Sequence, residues 1–505
     1  MGKALSRRTG SHQTSWISCR GSGRTLATVG VLVSIPIVTA SALPVSSVSR
    51  SGDVISGMHA SQIVAPRGFF AALAVATHAN VMVPSFSRQT KLACSACHYQ
   101  FPELTPFGRL FKLNGYTLTG LSTIGEPMDT AGGPQSLKLS PIPPVAAMVV
   151  ASFTNTRVAQ PGLQNNTASF PQQASIFFAG QITPNVGAFA QFTYSAADGK
   201  IGIDNVDMRY ATHTMLGDRD VLLGVTLHNN PTVQDVWNTT PAWSYPFMGS
   251  DVAPSPIAGT LIDGALAQQV VGLGMYTLFD NLLYAEATAY RSAPQGSPMP
   301  LDSTATNVTN GVIPYWRLAL QHQAASTYMM LGTYGFSANL YPQGVSGKTN
   351  RYTDIAVDAQ VEHRMGTANL IGRATYIHEQ QHLDAFRAQD PAGAVELQPT
   401  LSTARASLSF LPSERYSVNV GYFQTTGTRD TVLFAPGSVT GSRTGSPNTA
   451  GETGEVTFNA WENTRFGLQY LVYSKFNGAS TAYDVLSGRR ASDNNTLYLY
   501  TWLAF

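Results

Sequence analysis

The stretch YTDIAVDAQVEH, Tyr352 to His363, decides how the chain folds. Ile355, Val357, Ala359 and Val361 alternate with Asp354, Ala356, Asp358, Gln360 and Glu362. Strict alternation at period two is the pattern of a strand with one apolar and one wet face. The same pattern recurs along the chain. In VGAFAQFTY one face carries Val186, Ala188, Ala190, Phe192 and Tyr194, and the other Gly187, Phe189, Gln191 and Thr193. In EVTFNAW, Val456, Phe458 and Ala460 oppose Glu455, Thr457 and Asn459.

Turn chemistry separates these segments in two styles. Short connections fall at Thr183-Pro184-Asn185, Gly217-Asp218-Arg219, Asp280-Asn281, Ala324-Ala325-Ser326, Arg364-Met365-Gly366, Pro412-Ser413-Glu414 and Glu462-Asn463-Thr464. Between them lie longer polar stretches such as YPQGVSGKTN and APGSVTGSRTGSPNTAGETG. Seven short turns join fourteen strands. An opening strand near Val145–Phe153 and a closing one at Thr496–Phe505 make sixteen. Short turns on one side and long loops on the other are the signature of an outer-membrane β-barrel, and sixteen strands enclose a lumen. The closing segment TLYLYTWLAF alternates to a terminal Phe505 with Leu497, Leu499 and Leu503 on one face. A soluble β-sandwich would leave the loop asymmetry and the length of the repeat unexplained.

Composition agrees. Only 12% of the 505 residues are charged, about half the usual share, and mean hydropathy is near zero. A net charge of +2 gives no electrostatic footprint for nucleic acid. The N-terminus reads as an export signal. Arg7, Arg8, Arg20 and Arg24 precede LATVGVLVSIPIVTASA, which ends in the cleavable Ala40-Ser41-Ala42. A second signal follows, Arg67 then GFFAALAVATHA ending at Ala79. Translation from Met58 would make the second signal the working one, with the mature chain starting near Asn80. The expected organisation is a presequence over 1–79, a small domain over 80–142 and the barrel over 143–505.

That small domain holds the chemistry. Cys19 lies in the presequence, so Cys94 and Cys97 are the mature cysteines, in KLACSACHYQF. Cys94-Ser95-Ala96-Cys97-His98 is the C-x-x-C-H pattern of covalent haem attachment. Two thiols three residues apart form thioethers to one haem, and His98 directly after them is placed to ligate its iron. A thioredoxin-like site would want a βαβ setting, but Pro102, Pro106 and Gly108 follow. A zinc site would want further ligands, and no Cys or His occurs between His98 and His213. Downstream of the motif Met128, in GEPMDT, is the thioether available for the sixth position; the alternative is a loop methionine without a role. Met82 lies just upstream of the motif.

Further side chains are candidates on similar chemical grounds. Asp354, Asp358 and Glu362 share a face, and carboxylate oxygens suit the approach of a hard cation such as iron. Arg209, Arg317 and Arg373 in neighbouring strands could instead pair with them. Arg88 and Lys112 flank the motif and could meet haem propionates. Phe86, Phe101, Phe107 and Phe111 are candidate walls of a haem pocket. His378 and His382 in HEQQH have metal-binding spacing only on a helix, and here they follow a strand.

The stretch PSFSRQTKLACSACHYQFPELTPFGRLFKLNGY, Pro84 to Tyr116, resembles the fused monohaem cytochrome–porins of the outer membrane. The shared pieces are Pro-x-Phe-x-Arg-Gln-Thr, C-x-x-C-H, Phe-Pro-x-Leu-x-x-Phe-Gly and Lys-x-Asn-Gly-Tyr. HNNPTVQDVWNTTPAWSYPF, His228 to Phe247, is similar to a segment of that family's porin part. Ser87 and Lys91 depart from its commoner choices without touching the motif. The resemblance implies one haem c held by Cys94, Cys97 and His98 in an all-β outer-membrane protein. It also implies oxidation of extracellular Fe(II), the electron passing to a periplasmic cytochrome or copper protein. Competing expectations are an electron conduit for another donor, such as reduced sulfur, and a solute porin whose haem is structural or sensory.

Overall fold

The computed structural model describes residues 84–118, 144–292, 307–342, 346–390 and 392–505. The two expected signal segments, Met58, Met82 and Met128 lie outside them. Ahead of the barrel come α1 (Ser85–Thr90), α2 (Cys94–Cys97) and α3 (Pro106–Leu113), with a minimal ribbon of β1 (His98–Gln100) and β2 (Glu103–Leu104). The wall begins with β3 (Val145–Thr156), β4 (Asn166–Thr183), β5 (Val186–Ser195), β6 (Lys200–Leu216) and β7 (Arg219–His228). It continues with β8 (Val270–Phe279), β9 (Leu283–Ser292), a two-residue β10 (Val308–Thr309), β11 (Ile313–Ala324), β12 (Thr327–Tyr341) and β13 (Asn350–Met365). After β14 (Ala368–His382) come a short α4 (Asp384–Gln389), β15 (Thr400–Ser413), β16 (Tyr416–Gly427), β17 (Thr449–Trp461), β18 (Thr464–Lys475) and β19 (Thr496–Ala504).

Every long strand pairs antiparallel with its neighbours in sequence, and two further ladders close the ring. β9 pairs β11 across the β10 region, and β19 pairs β3 with Trp502 opposite Val150. Phe505 extends that seam, its N–H donating to the Ala147 carbonyl at 2.8 Å. Leaving out β1, β2 and β10, sixteen strands form a closed barrel, which removes every unpaired edge. All seven expected short turns join consecutive strands at one end. The long stretch Ala435–Gly454 is only partly loop, because β17 already begins at Thr449.

The faces settle the environment of the wall. In β13 Ile355, Val357 and Val361 are 54%, 51% and 46% exposed, while Asp354, Asp358 and Glu362 on the opposite face are 1%, 2% and 5% exposed. The apolar face points outward and the charged face inward, the reverse of a soluble domain. Leu223, Leu273, Met275, Leu318, Leu331, Val420 and Leu468 continue the outer apolar surface around the barrel. Such a continuous band on a closed barrel is what a bilayer covers. No helix among the described residues is long and apolar enough to cross a membrane. The strands do the crossing.

Among the described residues, two segments reach deep into the lumen. One is the connection from His228 to Val270, which folds inward: Val233, Val236 and Trp237 are almost fully buried. Trp237 Nε1 donates to the Tyr328 hydroxyl at 2.6 Å, and Ile262 N–H to Asp354 at 2.9 Å. The other is the segment 84–118.

Candidate functional site

The segment 84–118 is bound to the wall from strands all round the lumen, at the short-turn end. Ser85 Oγ donates to the Ala179 carbonyl of β4 at 2.6 Å. Tyr116 Oη donates to Asp207 of β6 at 2.6 Å, and Tyr276 of β8 to the Leu113 carbonyl at 2.6 Å. Gln100 meets Asn419 of β16 at 2.9 Å. Arg465 of β18 donates to the Phe101 carbonyl at 2.8 Å, and Cys94 N–H to Glu462, in the turn before β18, at 2.9 Å.

Two buried ion pairs carry the charge of this docking. Arg109 pairs with Glu362, which also accepts from the Tyr99 hydroxyl at 2.9 Å, and the Arg109 guanidinium lies over the Tyr328 ring at 4.1 Å. Arg373 Nη1 stands 2.6 Å from Glu103. Lys112 donates to the carbonyls of Val233 and Asp235 at 2.7 and 2.8 Å. Burial, seconded by Arg209, pushes the Lys112 ammonium down to about 7.

Locally, the cysteine motif is locked by the residues that follow it. Cys94–Cys97 form a single helical turn, and His98 follows it directly in extended backbone. Thr105 caps α3 by accepting from Gly108 N–H at 3.1 Å, donates through its hydroxyl to Ala96 O at 2.6 Å, and donates its N–H to Cys97 O at 3.0 Å. Pro106 fills the first helical position, where no N–H is needed. At Gly108 a Cβ would collide with the Cys97 carbonyl, so glycine is what lets α3 close on the motif.

His98 stacks on Phe101 with ring centroids 4.1 Å apart, and Phe101 leans on Trp502 of β19 at 5.0 Å. The carbonyls of Pro102 and Glu103 face the imidazole, and burial pushes it down to about 4, toward the neutral form that ligates a metal. Burial likewise pushes the Cys94 and Cys97 thiols up to about 11, Glu462 adding to the effect at Cys94. Both sulfurs are unbridged, and thiols this protonated are poor exchange nucleophiles. Two half-buried cysteines on one turn and a neutral histidine beside them fit the donor set of a covalently attached haem.

Several expectations take a different form. Arg88 donates to the Val145 carbonyl and Lys112 to the inner loop, so the two flanking cations are engaged in docking. Phe86 and Phe111 pack with Tyr116, and Phe101 against His98, but Phe107 is turned outward and 37% exposed. Asp354, Asp358 and Glu362 do share the lumen face. Asp358 is paired with Arg317 at 2.6 Å, however, Glu362 with Arg109, and Asp354 accepts from the inner loop beside Glu379. No group of three or more His, Cys, Asp or Glu able to hold a metal ion occurs among the described residues. Arg209 pairs with Asp207 of its own strand. His378 is exposed on the outer face against Ser402.

Sequence reasoning missed Met148 and Met248. Both join the cluster of Val150, Tyr498, Tyr500 and Trp502 on which Phe101 rests. Met148 could have been placed on the lumen face from the alternation of β3; the inner loop that brings Met248 there has no periodicity to read.

No family model matches the chain, and no curated protein does. Among solved structures it is similar to the anion-selective porin from Comamonas acidovorans (12% identity, 72% of this chain and 98% of that one, TM-score 0.41). It is also similar to the outer-membrane channel DcaP of Acinetobacter baumannii (9%, 72% and 96%, TM-score 0.43) and to OmpF of Salmonella typhi in complex with daunomycin (10%, 72% and 97%, TM-score 0.40). Overlaps this loose carry no weight, and the architecture rests on the chain's own strand ladder and outward apolar band. The chain is a porin-like outer-membrane β-barrel.

Proposed function

We propose that this barrel is an outer-membrane c-type cytochrome that oxidises extracellular Fe(II) and passes the electron to a periplasmic carrier. The observation that carries the reading is the seat of Cys94-Ser95-Ala96-Cys97-His98. The motif lies in the short-turn mouth, the periplasmic side of such barrels, pinned there by Arg109–Glu362 and Glu103–Arg373. Cys94 and Cys97 would hold haem through thioethers and His98 would ligate its iron, with Met128 or Met248 as the candidate sixth ligand. When bound, the haem supplies one-electron chemistry, cycling between ferrous and ferric iron.

The chain's own residues do the rest. Phe101, wedged between His98 and Trp502, fixes the imidazole plane. The two ion pairs keep the motif from swinging into the periplasm. The inner loop, with Trp237 and Asp235 buried against the wall, narrows the lumen beside the motif. Each Fe(II) gives one electron and leaves as Fe(III), whose insoluble hydrolysis products stay outside.

The test uses protein purified from outer membranes. Mass measurement should show one haem on the Cys94–Cys97 peptide, and anaerobic Fe(II) should reduce it. Reduction by a sulfur donor but not by Fe(II) would transfer the reading to another conduit. An open-pore conductance with haem indifferent to donors would favour a solute porin. Replacing Met128 or Met248 by leucine identifies the sixth ligand, because only the true ligand's loss abolishes the near-infrared band of methionine-bound ferric haem.

A further inference from the structure

Asp354 of β13 and Glu379 of β14 stand directly opposite each other in the strand register, both on the lumen face and both 1% exposed. Their carboxyl groups lie within hydrogen-bonding reach of one another. Each also receives the inner loop, through consecutive amides. Leu261 N–H donates to Glu379 Oε2, and Ile262 N–H to Asp354 Oδ2 at 2.9 Å. Gln381 Nε2 donates to the other Glu379 oxygen. Asp354 Oδ1 is buried and meets no donor.

The surrounding charges do not neutralise the pair. The ionisable groups facing it are Asp263 from the inner loop and Tyr352 from β13. Asp263 is itself an acid, and Arg405 of β15 beside it is committed to that acid. Arg317 and Arg373 on the neighbouring lumen face are paired with Asp358 and Glu103. Three carboxyls against one guanidinium leave an excess of negative charge where almost no solvent reaches. Two buried carboxylates in contact cannot both stay ionised. Something positive must lie between them, and a proton is the smallest candidate. A divalent cation wants about six or more oxygen ligands, and these carboxyls form no metal-binding group among the described residues.

We propose that Asp354 and Glu379 share one proton, Asp354 donating from Oδ1 to Glu379, and that this proton latches the inner loop to the wall. The latch concerns the loop alone and does not rest on haem. In the released state each carboxyl meets water and ionises near the ordinary value of about 4, so the docked loop holds one proton more than the released one. Docking is therefore strongest at about pH 4 and weakens as pH rises, by up to about tenfold per pH unit. On release the proton passes to water and two carboxylates remain on the wall.

The test follows deuterium exchange at the Leu261 and Ile262 amides of full-length protein in detergent, corrected for the intrinsic pH dependence of exchange. Between about pH 5 and about pH 8, opening of the wild type should rise by up to about tenfold per unit. Asp354→Asn keeps the acceptor for Ile262 and places an amide N–H where the proton sits, so its opening should be flat with pH. The infrared carboxylic C=O stretch is the second readout: the wild type at neutral pH should show one that Asp354→Asn lacks. Lys112, which holds another part of the loop, is the same in both proteins and drops out of the comparison. Should Asp354→Asn fail to assemble, Glu379→Gln makes the same comparison. A pH slope in the variant equal to that of the wild type overturns the proposal, as does a wild type without the extra infrared band. Protection of Leu261 and Ile262 that is lost to EDTA at constant pH puts a divalent cation between the carboxyls and overturns it too.

Discussion

Replacing Glu362 by alanine should release the segment 84–118 from the barrel wall. Glu362 and Arg109 are almost fully buried, and the carboxylate collects both the guanidinium and the Tyr99 hydroxyl. Removing one partner of such a pair leaves an unmatched buried cation, which costs about 3–5 kcal/mol. At 1.36 kcal/mol per factor of ten, the undocked population rises roughly 10²- to 10⁴-fold. The assay is protease protection of the 84–118 segment in detergent-solubilised barrels, with deuterium exchange of α3 amides as a second probe. Arg109→Met combined with Glu362→Leu should recover most of the protection, because replacing both charges by apolar groups is often near neutral. Glu362→Ala with cleavage and exchange rates equal to wild type would refute the claim that this pair anchors the segment.

Three further outcomes follow from the same contacts. Gly108→Ala should cost about 1–3 kcal/mol of local stability, since its Cβ meets the Cys97 carbonyl, and faster exchange at the Thr105 and Gly108 amides would report it. Lys112, which burial pushes down from 10.5 to about 7, binds fewer protons when docked than when released. Docking should therefore strengthen as pH rises from about 7 toward 10.5, and below about 7 the cost is complete. Release temperatures measured at about pH 6 and about pH 9 should differ in wild type and converge in Lys112→Met. Val357→Arg, on the outward face, should destabilise the folded barrel by about 2–4 kcal/mol in urea titrations from vesicles.

Strand identity was legible because the wall repeats one rule at every second residue, and short turns leave little freedom in register. β13 shows this well: the alternation of Ile355, Val357 and Val361 against Asp354, Asp358 and Glu362 reports the two faces directly. Partners across the lumen were not legible. Glu362 finds Arg109 and Arg373 finds Glu103 over more than 250 residues of chain, and alternation says which way a side chain points but not what fills the space opposite. The inner loop escaped for a related reason. Its aromatic and amide residues pack by shape, without a period, so its fate depends on a lumen that no local stretch describes. The C-x-x-C-H motif stood out because three donor types at fixed spacing are a local property, and Gly108 only gains its meaning once α3 lies against Cys97.

The seam between β19 and β3 has a consequence beyond the ring itself. Phe505 and Ala147 join the two ends of the wall, and Trp502, three residues from the end of the chain, presses on Phe101 beside the cysteine motif. The closing strand of the ring thus supplies the aromatic contact on which the segment 84–118 rests. A break in the β3–β19 ladder should therefore loosen the seat of the cysteine motif as well as the ring.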